Sequence, residues 1–222
     1  GCITLTGEDN TETALCMIQE EFRQGITEIQ SFTPSVTFYG SARLNENHPE
    51  YIRVKNLAYR IGRELKYNIL SGGGGGIMEA ANKGGYEGGV KSVGLTIKLP
   101  MEQKTNEYVT TEIPFYFFFA RQVAMSYATE VCIFCAGGFG TFDELFEMIT
   151  LQQTRKIDRI PIILFGVEFW TPIVKMVKEL LLDKYGTISE SDLNLFTLTD
   201  NEDEILDIIR KSEIRNGQDK LI

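Results

Sequence analysis

Apolar residues recur along the 222-residue chain in blocks whose period changes from one stretch to the next. Ala14, Leu15, Ile18, Phe22, Ile26 and Ile29 fall at helical spacing, which predicts an amphipathic helix over 10–31. Pro34 disfavours helix in the residue before it and ends the element. Residues 36–39 read as a short strand that stops at Gly40. Val54, Leu57, Ile61 and Leu65 share one face of a helix over 50–67. Residues 68–70 form a brief strand running into five glycines at 72–76. The stretch from Ile77 begins as a helix and is expected to fray at its glycines, 84–89. SVGLTIKL is a further strand. Residues 100–114 are polar with a proline at each end, which predicts a connecting loop. Helices are expected over 115–128, 142–153, 168–183 and 201–211, with the strands VCIFCA and IPIILFG between them and a frayed end over 216–222.

Strand and helix thus alternate about five times. VCIFCA and IPIILF are apolar throughout, as in strands covered on both faces of a parallel sheet. The predicted fold class is α/β: one doubly wound, Rossmann-like parallel sheet over 34–222, with helices on both faces and an N-terminal helical extension over 1–33. In such sheets ligands bind beyond the carboxyl ends of the strands, where strand order reverses. That directs attention to three strand-end loops, GSAR, SGGGGG and AGGFGT.

Composition adds to this picture at the glycines. Of 21, ten lie between Gly72 and Gly94 and three at Gly137, Gly138 and Gly140. Clustering in an otherwise ordinary composition points to backbone that turns sharply or meets a ligand, not to a linker. A net charge of −9 works against a nucleic-acid partner. The single histidine, His48, cannot build a His-rich zinc site, and no metal is expected. No apolar run is long enough to span a membrane. Cys132 and Cys135 form a Cys-x-x-Cys within a strand, so their sulfurs point to opposite faces and read as core thiols. A reducing, cytoplasmic compartment is expected on that basis. The aromatic run 115–119 reads as core or dimer-interface packing in preference to base stacking.

Each strand-end loop leads towards a helix N-terminus, whose unpaired N–H groups and partial positive charge attract anions. Glycine lets a phosphate approach that backbone. Neither glycine loop is a P-loop, since no Gly-Lys-Ser/Thr follows. The dinucleotide fingerprint is met only loosely and after the second strand instead of the first, so NAD is a poor fit and no cofactor is expected. In GGFGTFDE, Thr141 and Glu144 have capping-box spacing, which spacing alone favours. The alternative puts Glu144 in a cleft beside a phosphate as an acid–base or charge-stabilising group. Arg121, near the aromatic-rich helix, could reach the same crevice.

Taken in order, GSAR, SGGGGGIMEAANKGG, LPMEQKTNEY, FFFARQ and AGGFGTFDELFE resemble the Lonely Guy family, whose members often carry the label lysine decarboxylase. The resemblance covers about residues 35–185. The family signature Pro-Gly-Gly-x-Gly-Thr-x-x-Glu reads AGGFGTFDE here, with Ala136 in place of proline, and the family's Arg-Lys pair is Arg121-Gln122. The resemblance implies a Rossmann-like phosphoribohydrolase that cleaves the N-glycosidic bond of AMP or an N6-substituted AMP, acting as a homodimer or higher oligomer. Decarboxylation would need an electron sink such as pyridoxal phosphate, for which no residue announces a site. Arg121 and Glu144 would be catalytic. Gly137, Gly138, Phe139, Gly140 and Thr141 would cradle the 5′-phosphate. Glu102 and Thr150 align with positions that contact the nucleotide in the family, and Ser41, Arg43 and Gly74 lie at adjacent strand ends. Related molybdenum-cofactor carriers use a similar fold for binding alone, so a non-catalytic binding protein is the alternative reading.

Overall fold

The computed structural model describes residues 10–98 and 104–214. Among them, β1 (Ser35–Tyr39), β2 (Asn68–Ser71), β3 (Ser92–Ile97), β4 (Thr111–Phe115), β5 (Val131–Phe134), β6 (Ile162–Leu164) and β7 (Thr197–Leu198) form one sheet. Their order is β4-β3-β2-β1-β5-β6-β7, and every neighbouring pair is parallel. The helices are α1 (Asn10–Ile29), α2 (Pro49–Arg60), α3 (Ile77–Gly88), α4 (Phe118–Ala128), α5 (Phe139–Gln153), α6 (Val167–Met176) and α7 (Glu202–Lys211). α2 runs on through a wider π-type turn at Ile61–Leu65, and α6 does the same over Val177–Lys184.

The sheet divides two apolar layers. On one face α1, α4, α5 and α6 close over Leu70, Val93, Phe134 and Leu164. On the other α2, α3 and α7 close over Val36, Phe38, Ile69 and Ile133. All five residues of β1 are buried, as the central strand of a doubly covered sheet must be. Cys132 packs in the first layer and Cys135 in the second, and both are free thiols. Cys16 on α1 is disulfide-bonded, so the cysteines as a set do not argue for a reducing compartment.

Three expectations are corrected. Residues 111–114, read as loop, belong with Phe115 to edge strand β4, paired with β3 from Val93↔Thr111 to Ile97↔Phe115. Its Pro114 is tolerated because an edge strand has a side that needs no ladder donor. Phe115 therefore ends a strand, and the helix begins only at Phe118. Tyr116, Phe118 and Phe119 are exposed while Phe115 is core. Third, the glycines of α3 do not fray it. A Cβ on Gly84 would lie 2.3 Å from the Lys55 carbonyl oxygen, so this glycine lets α3 press directly onto the backbone of α2.

α1 is bound tightly to the sheet. Ile29 on α1 and Phe32 just beyond it enter the core. The Glu21 carboxylate accepts from the Tyr116 and Phe117 amides at 2.5 and 3.1 Å. It thereby caps the N-terminus of α4, where no side chain of α4's own N-cap residue does so. No described helix is long and apolar enough to cross a membrane.

Candidate functional site

Strand order runs outward from β1 through β2, β3 and β4 on one side, and through β5, β6 and β7 on the other. The chain leaves β1 towards α2 and leaves β5 towards α5, on opposite faces of the sheet. Between these exits opens a cleft of about 970 Å³, at the upper end of the usual range for small-molecule sites. Three loops are tied together at its edge. The Ser41 amide donates to the Ala136 carbonyl at 3.0 Å, the Ile77 amide to the Ser41 carbonyl at 2.9 Å, and the Arg43 amide to Ser41 Oγ at 3.1 Å. The Ala136 carbonyl makes its contact without help from its own N–H, so replacing the family's proline leaves this tie intact.

α5 starts three residues earlier than its pattern predicted, at Phe139, with Gly138 as an extended N-cap that offers no side-chain bond. Thr141 is therefore the third helical residue, and the capping-box reading of Thr141 and Glu144 is overturned. Thr141 folds back over Gly137, where a Cβ would sit 2.1 Å from Thr141 Oγ1. Gly138 and Gly140 face open space. The first amides of α5 have no intrahelical acceptor and point to the cleft with the positive end of the helix dipole.

Glu144, one turn further, is held by Arg121 from the first turn of α4. Arg121 Nη2 donates to Glu144 Oε1 at 3.0 Å, and the two side chains are 13% and 14% exposed. Burial raises the Glu144 carboxyl from its ordinary 4.5 to about 7. Arg121 opposes the rise, while Asp143 and Glu147 add to it. Arg121 Nε is buried without a hydrogen-bond partner among the described residues, which leaves a donor for a bound group. Gly72 makes room for this arginine, since a Cβ there would approach Nη1 to 3.4 Å and the Met78 sulfur to 2.7 Å. Beside the pair, Gln122 Nε2 donates to Asp143 Oδ2 at 2.8 Å.

The cleft brings together Arg121, Glu144, Gly137, Gly138, Phe139, Gly140, Thr141, Ser41 and Arg43. Gly74 stands apart: it is buried and its carbonyl accepts from Asn106 Nδ2 at 2.9 Å. Thr150 also stands apart, on a second, smaller apolar cavity of about 210 Å³ behind α5. Glu102 and residues 216–222 lie outside the described residues. Sequence reasoning missed Tyr39, Phe118, Phe142, Phe169 and Ile173, which supply the apolar wall. Tyr39 could have been found, as the last residue of the strand before GSAR. It is buried and stacked on Phe134 at 4.4 Å, and burial, with Cys132 and Glu144 nearby, holds its hydroxyl well above the ordinary range. Phe169 and Ile173 carry no local signal, because on α6 they look like any apolar helix face. Among the described residues no group of three or more His, Cys, Asp or Glu could hold a metal ion.

Fold and site together define a doubly wound α/β protein with an arginine–carboxylate pair and an uncapped, glycine-led helix N-terminus at the switch point of its sheet. Residues 78–209 match the family described as "Possible lysine decarboxylase", and the chain belongs to that family, in which the Lonely Guy proteins fall. It is 31% identical over 159 residues to an Arabidopsis thaliana protein named "Probable cytokinin riboside 5'-monophosphate phosphoribohydrolase", covering 68% of this chain and 76% of that one. Among solved structures, the molybdenum cofactor carrier protein of Chlamydomonas reinhardtii superposes with a TM-score of 0.59 at 20% identity, over 80% of this chain and 96% of the other. The molybdenum cofactor binding protein of Rippkaea orientalis gives 0.58 at 15% identity, over 80% and 95%. These two likenesses concern the fold alone.

Proposed function

We propose that the chain hydrolyses the N-glycosidic bond of a nucleoside 5′-monophosphate, AMP or an N6-substituted AMP such as a cytokinin nucleotide, to the free base and ribose 5-phosphate. The observation that carries this reading is the buried Arg121–Glu144 pair set one helical turn from the open amides of α5. Glycosidic cleavage passes through an oxocarbenium-like state, which a nearby carboxylate stabilises. The amides at 138–141 and the Thr141 hydroxyl receive the 5′-phosphate, with Ser41 and Arg43 at the rim. That placement sets the ribose over Glu144. Ionised Glu144 stabilises the positive charge at C1′ and orients the attacking water, accepting its proton as the C–O bond forms and the C–N bond breaks; the departing base takes up a proton from solvent, and Glu144 returns its own to solvent. Arg121 holds the carboxylate with one nitrogen and keeps Nε for the substrate. The apolar wall of Phe142, Phe169 and Ile173 suits a flat base and its N6 substituent. The exposed Tyr116, Phe118, Phe119 and Phe139 fit a homodimer contact beside the cleft.

Lysine decarboxylation draws no support from the described residues that line this cleft, among which there is no lysine to hold an electron sink such as pyridoxal phosphate. A second reading, a binding protein without turnover, draws on the likeness to molybdenum cofactor carriers. Incubation with AMP and N6-isopentenyl-AMP, assayed for free base and ribose 5-phosphate, separates the two. Release supports the hydrolase; tight binding with no release from any nucleoside monophosphate supports the carrier.

A further inference from the structure

Consecutive residues of α4 meet consecutive residues of α5 in two rungs of different charge. Arg121 brings a cation to Glu144 at 3.0 Å, whereas Gln122 brings a neutral amide to Asp143 at 2.8 Å. The second rung fixes the Asp143 carboxylate in place and brings it no cation, and no ion pair to Asp143 is formed among the described residues. Glu147, one turn along α5, adds another carboxylate and is only partly exposed. From the other elements, Glu144 is faced by Arg121 of α4 and by the Tyr39 hydroxyl at the end of β1; Arg43 lies exposed on the rim of the cleft. One arginine is thus set against two neighbouring carboxylates, and like charges oppose the ionisation of a buried acid.

We propose that the Gln122–Asp143 hydrogen bond is a positioning device for the protonation of Glu144: it anchors an uncompensated negative charge beside the acting carboxylate, so that Asp143 helps decide when Glu144 ionises. The inference rests on the reading of Glu144 as the acting carboxylate. Burial is the larger influence on Glu144, and Asp143 reinforces it in the same direction. A cation at position 122 would neutralise Asp143 and release Glu144 to ionise at lower pH. Because Asp143 is exposed, its influence should also weaken in high salt.

The test is a carboxyl-carbon NMR titration of the full chain labelled at glutamate, with the Glu144 signal assigned by its loss in Glu144→Gln. Asp143→Asn removes the charge and keeps an oxygen acceptor for Gln122. Gln122→Lys keeps a donor and adds a cation. Each is expected to lower the Glu144 midpoint by about half a pH unit or more, and Gln122→Glu to raise it. A merely structural bond would leave the midpoint where it was. Unmoved midpoints in both Asp143→Asn and Gln122→Lys would overturn the proposal, as would a wild-type Glu144 that titrates in the ordinary carboxylate range. If one of the two variants fails to fold, the other decides. The titration needs no turnover, so absence of glycosidic cleavage would defeat the hydrolase reading, and with it the acting role of Glu144, while shifted midpoints would leave the Asp143–Glu144 coupling standing. Cleavage with unmoved midpoints would do the reverse.

Discussion

Arg121 and Glu144, 23 residues apart in sequence, form a 3.0 Å ion pair across the start of α4 and the start of α5. The pair is nearly dry, and yet burial outweighs the arginine, so the carboxyl loses its proton only near neutral pH. A salt bridge open to water would hold its carboxylate below the ordinary range; here burial works against the arginine. The raised direction suits the proton exchange that the proposed reaction asks of Glu144.

Glu144→Gln keeps the shape of the side chain and an acceptor for Arg121 but removes the charge that, in the proposed reaction, faces C1′. Turnover of AMP is expected to fall by about two to four orders of magnitude, with nucleotide binding retained. Steady-state assays beside calorimetric titration check this; near-wild-type turnover would return Glu144 to a structural role.

The pH dependence follows from the raised Glu144 carboxyl. If the ionised form acts, kcat/KM falls as pH drops through about 7 and levels off above it. Stability runs the other way. The folded chain holds this proton more tightly than the unfolded one, so the contribution of Glu144 is present below its ordinary 4.5 and is lost as pH rises through about 7. Thermal melts of wild type and Glu144→Gln across this window should show that share of the decline in the wild type alone.

Gly137 and Gly138 separate packing from ligand approach. In Gly137→Ala the new methyl collides with Thr141, so the loop must shift, at a cost of about 1–3 kcal/mol. In Gly138→Ala the methyl meets nothing within 4 Å and the backbone φ of −101° suits any residue. Its melting temperature should stay close to wild type while phosphate-bearing ligands bind more weakly. Equal effects of the two substitutions on stability would contradict this division.

Glu21 reaches from α1 to the amides that open α4, the helix that carries Arg121. Glu21→Ala should cost about 1 kcal/mol, the usual value of a lost cap, in urea unfolding. A lower kcat for AMP should accompany it, because Arg121 lies four residues past the capped N-terminus. A variant with unchanged stability would show that the cap is not formed in solution.

Much of the fold was legible because the signals are local. Continuous apolar runs at VCIFCA and IPIILFG marked buried parallel strands, and they are β5 and β6. Opposite-facing Cys132 and Cys135 followed from strand geometry and sit in separate layers. Edge strand β4 was hidden, because Glu112 and Pro114 are tolerable where only one side of a strand is paired. Gly84 misled for a related reason: helix propensity counts against it, but the approach of α2 requires it.

The sequence by itself determined the doubly wound class, the strand-end loops and the identity of the charged residues near them, since periodicity, glycine clusters and motif order are properties of neighbouring positions. Only the tertiary structure decided what Thr141 and Glu144 do. Their spacing is that of a capping box, but α5 begins at Phe139, so Thr141 packs on Gly137 and Glu144 turns to Arg121. The tertiary structure likewise removed Gly74 and Thr150 from the cleft and added Tyr39, Phe169 and Ile173. Burial, which raises the proton affinity of Glu144, comes from a cleft whose walls are supplied by six separate elements, and no local pattern encodes which of them meet.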